Sequence, residues 1–589
     1  PVPVHKLNPL VPEPLAAIVA RLMAKNPEER YQSAFGLRAD LERCLAEWRG
    51  HGRVEPFTLA SRDVRPVLRI PQKLYGRTAQ FRILLDAFGR AAAGGFEALL
   101  ISGYSGVGKS ALVRELHKPV IARHGFFITG KFEPLKRDIP YAPVIEAFKT
   151  LVRQTFATGP ESLARWRARL LAALGPNGRV ITDVIPHVER LIGPQPPVPE
   201  LGPVEAHERF IYVFRNFVRV FAGAGHPLVL FLDDLQWADL ATLKLLEGLA
   251  GDPDLGHFLL VGTWRDTEVD ALHPLRHTIQ TFGERGVPVR DVALGGLDAD
   301  AVVALLSDTL HAAPDDVRPL AERLIANTLG NPFFLGQFLE SLEQSGLIAY
   351  DGLAGVWNWN LEAIESQRME RMVDDVVTFV VRRIRELPAE TLAVVQTAAC
   401  IGSAFDLATL ADASRRTSSA TAAALWPALR SGLVVPVGDA YRYADMDSVS
   451  PRATYRFVHD RVQQAAYGML PDADALACHL AVGLVLEQGG DASSDRAVDR
   501  LFAITNQLNR ALPLLSPEQR ERLARYNLLA GQAARASAAL GPAFDYLKTG
   551  VGLLPEDGWS RLYDLALSLH AEAAEIAAVN GDAAAATPL

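Results

Sequence analysis

Eight consecutive residues, Gly103-Tyr104-Ser105-Gly106-Val107-Gly108-Lys109-Ser110, set glycines, a lysine and a hydroxyl at the spacing GxxxxGK[ST]. That combination suits one chemistry, the grip on nucleotide phosphates by a P-loop. Gly103, Gly106 and Gly108 let backbone N–H groups turn inward around phosphate oxygens, with Ser105 and Val107 between them. The helix that continues through Ala111 adds the positive end of its dipole. Lys109 neutralises charge on the β- and γ-phosphates, and the Ser110 hydroxyl offers an oxygen ligand to Mg2+.

A second acidic element completes such a site. Leu228–Leu232 is an apolar strand that ends in Asp233 and Asp234. A carboxylate at the end of a strand adjacent to the P-loop strand can hold the Mg2+ shell, and another can orient or deprotonate the attacking water. Asp233 is assigned to the metal and Asp234 to the water, although two aspartates after a strand also suit a helix N-cap. The next strand ends Gly262-Thr263-Trp264-Arg265-Asp266, where Arg265 can contact the γ-phosphate or sense its loss. A surface ion pair between Arg265 and Asp266 is the other reading. Gln236-Trp237-Ala238-Asp239 reads as helix-start packing and capping rather than catalysis. Val289-Arg290-Asp291-Val292 resembles a kinase catalytic loop but lacks the histidine and the downstream asparagine, so it reads as a strand. The 14 histidines show no zinc-ligand spacing.

These residues need a scaffold, and the apolar pattern supplies one. Five short apolar runs, Ala98–Ser102, Phe126–Thr129, Leu228–Leu232, Phe258–Thr263 and Val289–Leu294, alternate with helical stretches. Unbroken apolar strands separated by helices predict an α/β core with a parallel sheet covered on both faces. Residues 298–345 read as helical; residues 375–470 read as helices followed by two short strands, GLVVPV and TYRFVH, a layout compatible with a winged-helix unit. From residue 472 onward an all-α, repeat-like segment is expected. The N-terminal 13–25 run is helical, Asn26-Pro27-Glu28-Glu29 form a helix start, and a further helix reaches about Arg49.

With 589 residues the chain is long enough for several domains, and its composition (49% apolar, 22% charged) is that of an ordinary globular protein. The formal charge of −8 gives no global attraction to nucleic acid or anionic membrane. Cys44, Cys400 and Cys478 form no ligand or CxxC spacing, which suits a reducing cytoplasmic setting. The longest apolar run, Leu476–Leu486, is well short of the roughly 20 residues a membrane helix needs. The chain opens without Met and ends in Gly581–Leu589, where another helix should start, so a fragment of a longer protein is expected.

With these motifs in hand, residues 73–470 resemble the STAND branch of AAA+-related ATPases, the signal-transduction ATPases with numerous domains. Tyr75-Gly76-Arg77 looks like the motif that borders the adenine ahead of the first helix. Gly330-Asn331-Pro332 is similar to the GxP motif, which implies that Pro332 lies against the base. Arg265 matches the sensor arginine, and His459-Asp460 is similar to the pair whose histidine touches the β-phosphate of ADP; a buried structural histidine is the other reading of His459. IPQKLYGR, GKFEPLKRDIPY, FLDDLQWAD and FVHDRVQQAAY extend the resemblance to the ATPase segment of large bacterial hybrid signalling proteins, which carry a Ser/Thr kinase domain before it and a sensor histidine kinase after it. Residues 1–49 resemble the last helices of such a kinase lobe, where Arg30 would pair with a glutamate of the activation segment. The kinase's glycine-rich loop and catalytic and metal-binding aspartates are not in this chain, so no protein kinase activity is implied for it.

The resulting expectation is a kinase remnant (1–49), a linker (50–72), a P-loop ATPase core (73–296), a helical lid (297–374), a winged-helix-like domain (375–470) and a helical, TPR-like region (471–589). The resemblance implies ATP and ADP as ligands with Mg2+, slow hydrolysis, and a switch between an ADP-bound closed and an ATP-bound open form. It also implies regulation of attached kinase and histidine kinase domains, an inducer on the helical region and homo-oligomerisation. Two alternatives stand beside it. An origin-recognition-type or transcription-regulating ATPase would use the winged helix on DNA, but ELPAETLAVVQTAACIGSAFDLATLADASRRTSS carries few basic residues. A non-hydrolysing scaffold would keep nucleotide as a structural part.

Overall fold

The computed structural model describes residues 3–24, 29–61, 63, 68–71, 73–137, 139–156, 159–366, 376–438, 453–489 and 494–579. The predicted helix start at Asn26-Pro27-Glu28 and the terminal stretch Gly581–Leu589 lie outside them. The chain divides into two compact units.

The larger unit takes in residues 79–105, 109–294 and 375–589. Its centre is a sheet of β1 (Phe96–Ser102), β2 (Phe126–Lys131), β3 (Leu228–Asp233), β4 (Phe258–Trp264) and β5 (Val289–Ala293). All pairings are parallel and the order is β2-β3-β4-β1-β5. The five predicted strands are all present. β3 and β4 are buried along their whole length and β1 along all but its ends, which is why they read as unbroken apolar runs. β2 and β5 are the edges, and both carry exposed residues. Arg290 on β5 pairs at 2.6 Å with Glu97, which is itself buried on β1, so the kinase-like tetrapeptide is an edge strand.

One detail departs from the sequence reading, which set the acidic strand beside the P-loop strand. β4 lies between β1 and β3. Strand order follows the crossovers, and local apolar pattern does not encode them.

Further along, the helix Ala389–Ile401 leads into β8 (Ala404–Asp406), the helices Leu407–Ala413 and Ser418–Arg430, then β9 (Val434–Val437) and β10 (Thr454–Phe457). These three strands form an antiparallel sheet in the order β8-β10-β9. The strand Ala404–Asp406 is too short to register in the sequence pattern. Helices Asp460–Gly468, Asp472–Gln488, Ser494–Arg510, Pro517–Ala536, Leu540–Gly552 and Tyr563–Val579 follow, so the C-terminal region is helical as expected. Gly531 faces Leu547 and Gly550 faces Leu569 where a Cβ would stand 2.7 and 2.6 Å away, so glycine sets how closely these helices approach. Among the described residues no single helix is long and apolar enough to cross a membrane; Asp460–Gly468 and Asp472–Gln488 are so only when joined, and they bend by 117°.

The smaller unit comprises residues 1–78, 106–108 and 295–374. Its helices include Glu13–Leu22, Ala34–His51, Ala299–Leu310, Pro314–Thr328 and Pro332–Gln344. The stretch read as a linker folds back onto the second of these: Asp63 accepts from the Ser33 and Gln32 N–H groups, and Asp40 accepts from the Ala60 N–H at 2.7 Å. Arg30 donates to the Ala24 carbonyl at 2.8 Å. Where the sequence reading had helices alone, the structure adds a hairpin, β6 (Ile348–Asp351) and β7 (Val356–Trp359). Asp351 makes the turn by accepting from the Leu353 and Ala354 N–H groups, and Gly355 takes φ +73°.

Candidate functional site

In the larger unit the site gathers at the carboxyl ends of β1, β3 and β4, where open α/β sheets bind ligands. β1 delivers the P-loop. Lys109 is 7% exposed and its Nζ donates to the carbonyls of Gly103 (2.7 Å) and Tyr104 (2.9 Å) in its own loop. Burial is the main reason its ammonium is pushed down to about 8, partly opposed by the Asp234 carboxylate. The Ser110 hydroxyl donates to both Asp233 oxygens at 2.7 and 2.9 Å. Thr263 on β4 donates to the same carboxylate and accepts the Asp234 N–H at 3.1 Å. The strand inserted between β1 and β3 thus ties the acidic pair to the sheet.

Asp234 has φ +61°, a left-handed conformation that aspartate tolerates better than most residues. The turn away from β3 aims its carboxylate at Lys131 (3.4 Å), the Arg265 guanidinium (3.5 Å) and the Gln236 amide (2.9 Å). Those positive neighbours hold it below the usual aspartate range although burial alone would raise it. Arg265 is not the surface residue of the alternative reading. It is 2% exposed, lies 4.5 Å over the Trp237 ring, and pairs with Glu268 (2.7 Å), Asp234 and Asp460 (3.7 Å). The helix-start reading of Gln236–Asp239 is half of the picture. Asp239 does cap the helix Leu240–Ala250 by accepting from Thr242, but Gln236 also holds Asp234 and accepts the Arg265 N–H.

His459 and Asp460 arrive from the end of β10. His459 caps the helix Asp460–Gly468, its Nδ1 accepting the Arg461 N–H at 3.1 Å. Burial foremost, then the charge of Arg265, pushes its imidazole down to about 3, so the ring is neutral at physiological pH. Asp460 pairs with Lys131 at 2.7 Å. Burial, reinforced by the Asp234 carboxylate, pushes Asp460 up to about 6. Lys131, at the end of edge strand β2, therefore sits between the acid assigned to water and the acid after His459.

The smaller unit holds the residues assigned to the base. Tyr75 is buried, with its hydroxyl donating to Asp308 at 2.8 Å, and Arg77 donates to the Gly295 carbonyl at 2.5 Å and lies 3.5 Å from the Val107 carbonyl. Asn331 caps the helix that opens at Pro332 by accepting from the Phe333 N–H at 3.1 Å, and the same N–H lies 3.3 Å from the Gly106 carbonyl. A Cβ on Gly106 would stand 2.8 Å from that of Phe333, and its φ is +81°, so only glycine fits there. Gly76 is equally constrained: φ is +62° and a Cβ would lie 2.7 Å from that of Ala301. Gly76→Ala should therefore destabilise the protein by about 1–3 kcal/mol, read as a lower urea midpoint. Gly89→Ala, with nothing within 4 Å, is the control expected to hold or gain stability.

Tyr75–Arg77, Gly106–Val107 and Asn331–Pro332 are thus brought together in one unit, and Lys109, Ser110, Asp233, Asp234, Arg265 and His459 in the other. The sequence reading gave no role to Lys131, Thr263 and Glu268, and gave Gln236 to helix-start packing alone. Lys131 carries the one readable signal, a charged residue at the end of a strand that precedes a proline-bearing loop.

A Mg2+ ion is the group this chemistry implies, and the donors fit: the Ser110 hydroxyl and Asp233 carboxylate already touch and are hard oxygen ligands.

Residues 73–261 match the AAA ATPase domain family. The chain is similar to hybrid signal transduction histidine kinase G of Dictyostelium discoideum, 26% identical over 698 aligned positions covering 96% of this chain and 20% of that protein. A peroxide stress-activated histidine kinase of Schizosaccharomyces pombe is 20% identical, with 80% of this chain and 23% of that protein covered. The chain thus spans about a fifth of the length of these relatives. Among solved structures, a STAND protein with a tetratricopeptide repeat sensor from Pyrococcus horikoshii matches at 13% identity and TM-score 0.40, covering 88% of this chain and 66% of that one. Cdc6p from Pyrobaculum aerophilum matches at 13% identity and TM-score 0.30, covering 70% and 96%. The match over residues 73–261 takes in the P-loop and the strands β1, β2 and β3 of the parallel sheet, the part of the chain that is similar to AAA ATPase domains.

Proposed function

We propose that the chain is the nucleotide switch of a larger cytoplasmic signalling protein. It binds ATP and ADP with Mg2+, hydrolyses ATP slowly, and passes its state to kinase and histidine kinase domains attached in the full-length protein. The similarity to two histidine kinases supports the last part of this reading. The observation that carries the switch is the shared lysine. Lys131 pairs with Asp234 and with Asp460, so the acid assigned to the water and the acid beside His459 depend on one ammonium.

In this reading Gly103–Ala111 hold the phosphates, and Lys109 neutralises their charge. Ser110 and Asp233 hold Mg2+, which when bound neutralises phosphate charge. Asp234 orients or deprotonates the attacking water, and Arg265, tied to both Asp234 and Asp460, reports the γ-phosphate. Tyr75–Arg77 and Pro332 border the base. His459, as a neutral ring with its Nδ1 engaged, serves the β-phosphate of ADP as an N–H donor. With ADP the winged-helix-like segment 375–470 keeps Asp460 in the cluster. With ATP the segment leaves, and the open form is free to oligomerise.

Asp234→Asn tests the catalytic half. ATP affinity should stay within about threefold, while phosphate release in multiple turnovers should fall by at least about a hundredfold, the ordinary contribution of a general base. Turnover that survives the substitution would remove Asp234 from the mechanism. The DNA-binding alternative gains little support from the basic residues here: the predicted segment offers only Arg415 and Arg416, and the helix Ser418–Arg430 that follows has Arg430 as its single basic residue.

A further inference from the structure

Within the larger unit a cleft of about 530 Å3 opens between the helical array and two loops of the ATPase core. The helix Ser494–Arg510 presents Asn506, Asn509 and Arg510 along one face, at spacings of three and four residues. The helix Leu540–Gly552 contributes Asp545, Tyr546 and Thr549 in the same register. Arg137 and Asp239 line it from the loops that follow β2 and β3.

Asn506 is the decisive residue. It is 7% exposed, and its Oδ1 accepts from the Tyr546 hydroxyl at 2.8 Å. Its Nδ2 is buried in the cleft wall and, among the described residues, has no hydrogen-bond partner. Buried amide donors in native proteins are almost always satisfied, by protein, water or ligand. The neighbours indicate what would satisfy this one. Arg137 and Arg510 bring guanidinium groups to the cleft, and Arg510 uses one of its five N–H donors on the Leu135 carbonyl at 2.8 Å. Asp239 is no competitor, because its carboxylate is held by the Thr242 N–H and hydroxyl.

We propose that this cleft binds a small molecule through a carboxylate that accepts from the Asn506 amide and the two arginines. Asp545 lines the other wall, so a zwitterionic amino acid is tested beside a simple carboxylate. The site is also placed to be felt at the nucleotide. Arg137 follows Lys131 through the short helix Pro134–Lys136, and Asp239 follows Asp234 through Leu235–Trp237. That consequence, a ligand that alters ADP release, rests on the switch reading; the binding site itself does not.

Saturation-transfer NMR on the intact chain tests it, with succinate and glutamate as the carboxylate probes and succinamide as the uncharged control. Transfer to at least one carboxylate and none to succinamide is expected. Asn506→Leu should weaken the bound carboxylate by at least about tenfold, the scale of one hydrogen bond to a charged group. Thr549→Trp, on the exposed side of the cleft, should block it and guards against a folding defect at the buried position. Both variants should keep the ADP affinity of the parent. Succinate alone marks a simple carboxylate ligand, and glutamate alone marks a zwitterion. No transfer to either, as when a water satisfies Asn506, or transfer that persists in both variants, overturns the proposal. ADP release measured with and without the bound carboxylate then bears on the switch alone.

Discussion

Lys109→Ala is expected to weaken ATP and ADP binding by at least about a hundredfold, because removing one partner of a buried charge pair costs about 3–5 kcal/mol. The structure gives the reason. The Lys109 ammonium is nearly enclosed, held by two backbone carbonyls and depressed to about 8 by desolvation. Phosphate oxygens in the loop would compensate that desolvation; alanine leaves their charge unmatched. The sign of the pH dependence follows. Phosphates raise the lysine back from its depressed value, so binding takes up a proton above pH 8 and affinity should fall as pH rises from 7 to 9. Equilibrium binding of a fluorescent ADP analogue measures both effects, and affinity unchanged in the variant would refute the P-loop assignment.

The second large effect is at Asp460. Asp460→Ala strips Lys131 and Arg265 of one carboxylate, leaving Asp234 beside Lys131 and Asp234 with Glu268 beside Arg265. ADP should dissociate faster by at least about tenfold, because alanine deletes the oxygen that accepts from Lys131 at 2.7 Å, which the protonated acid keeps, and tenfold is the scale of one hydrogen bond to a charged group. A pH profile separates this from a general loosening. In the cluster Asp460 is raised to about 6, and once released to water it returns toward the usual aspartate value. The closed form therefore binds more protons, and lowering pH through 6 favours it. ADP release should slow several-fold between pH 7.5 and 5. Asp460→Asn, permanently neutral, should flatten that profile. A wild-type rate independent of pH would show that Asp460 does not leave the cluster when ADP is released.

Local signals were the legible ones. The P-loop and the five strands could be read because each is a contiguous run whose residue types state its burial, as in Leu228–Asp233. Strand order could not, since nothing near β3 tells that β4 separates it from β1. The same limit hid Lys131 and Thr263: each is an ordinary residue that gains meaning from a partner elsewhere in the fold, Asp460 for one and Asp233 for the other. His459 was singled out by a two-residue resemblance, whereas its capping role and suppressed basicity come from its surroundings. Cys400 and Cys478 showed no motif either, yet both are free, on the helices Ala389–Ile401 and Asp472–Gln488, and the Cys400 thiol holds Cys478 below the usual cysteine range.

The central claim is that this chain stores its state as a bound nucleotide. The most direct measurement is to purify it without added nucleotide, denature it and identify what is released. One equivalent of ADP, exchanging slowly in wild type and faster in Asp460→Ala, is the result the account predicts. An empty site with rapid ATP turnover would contradict it and would make the domain a motor.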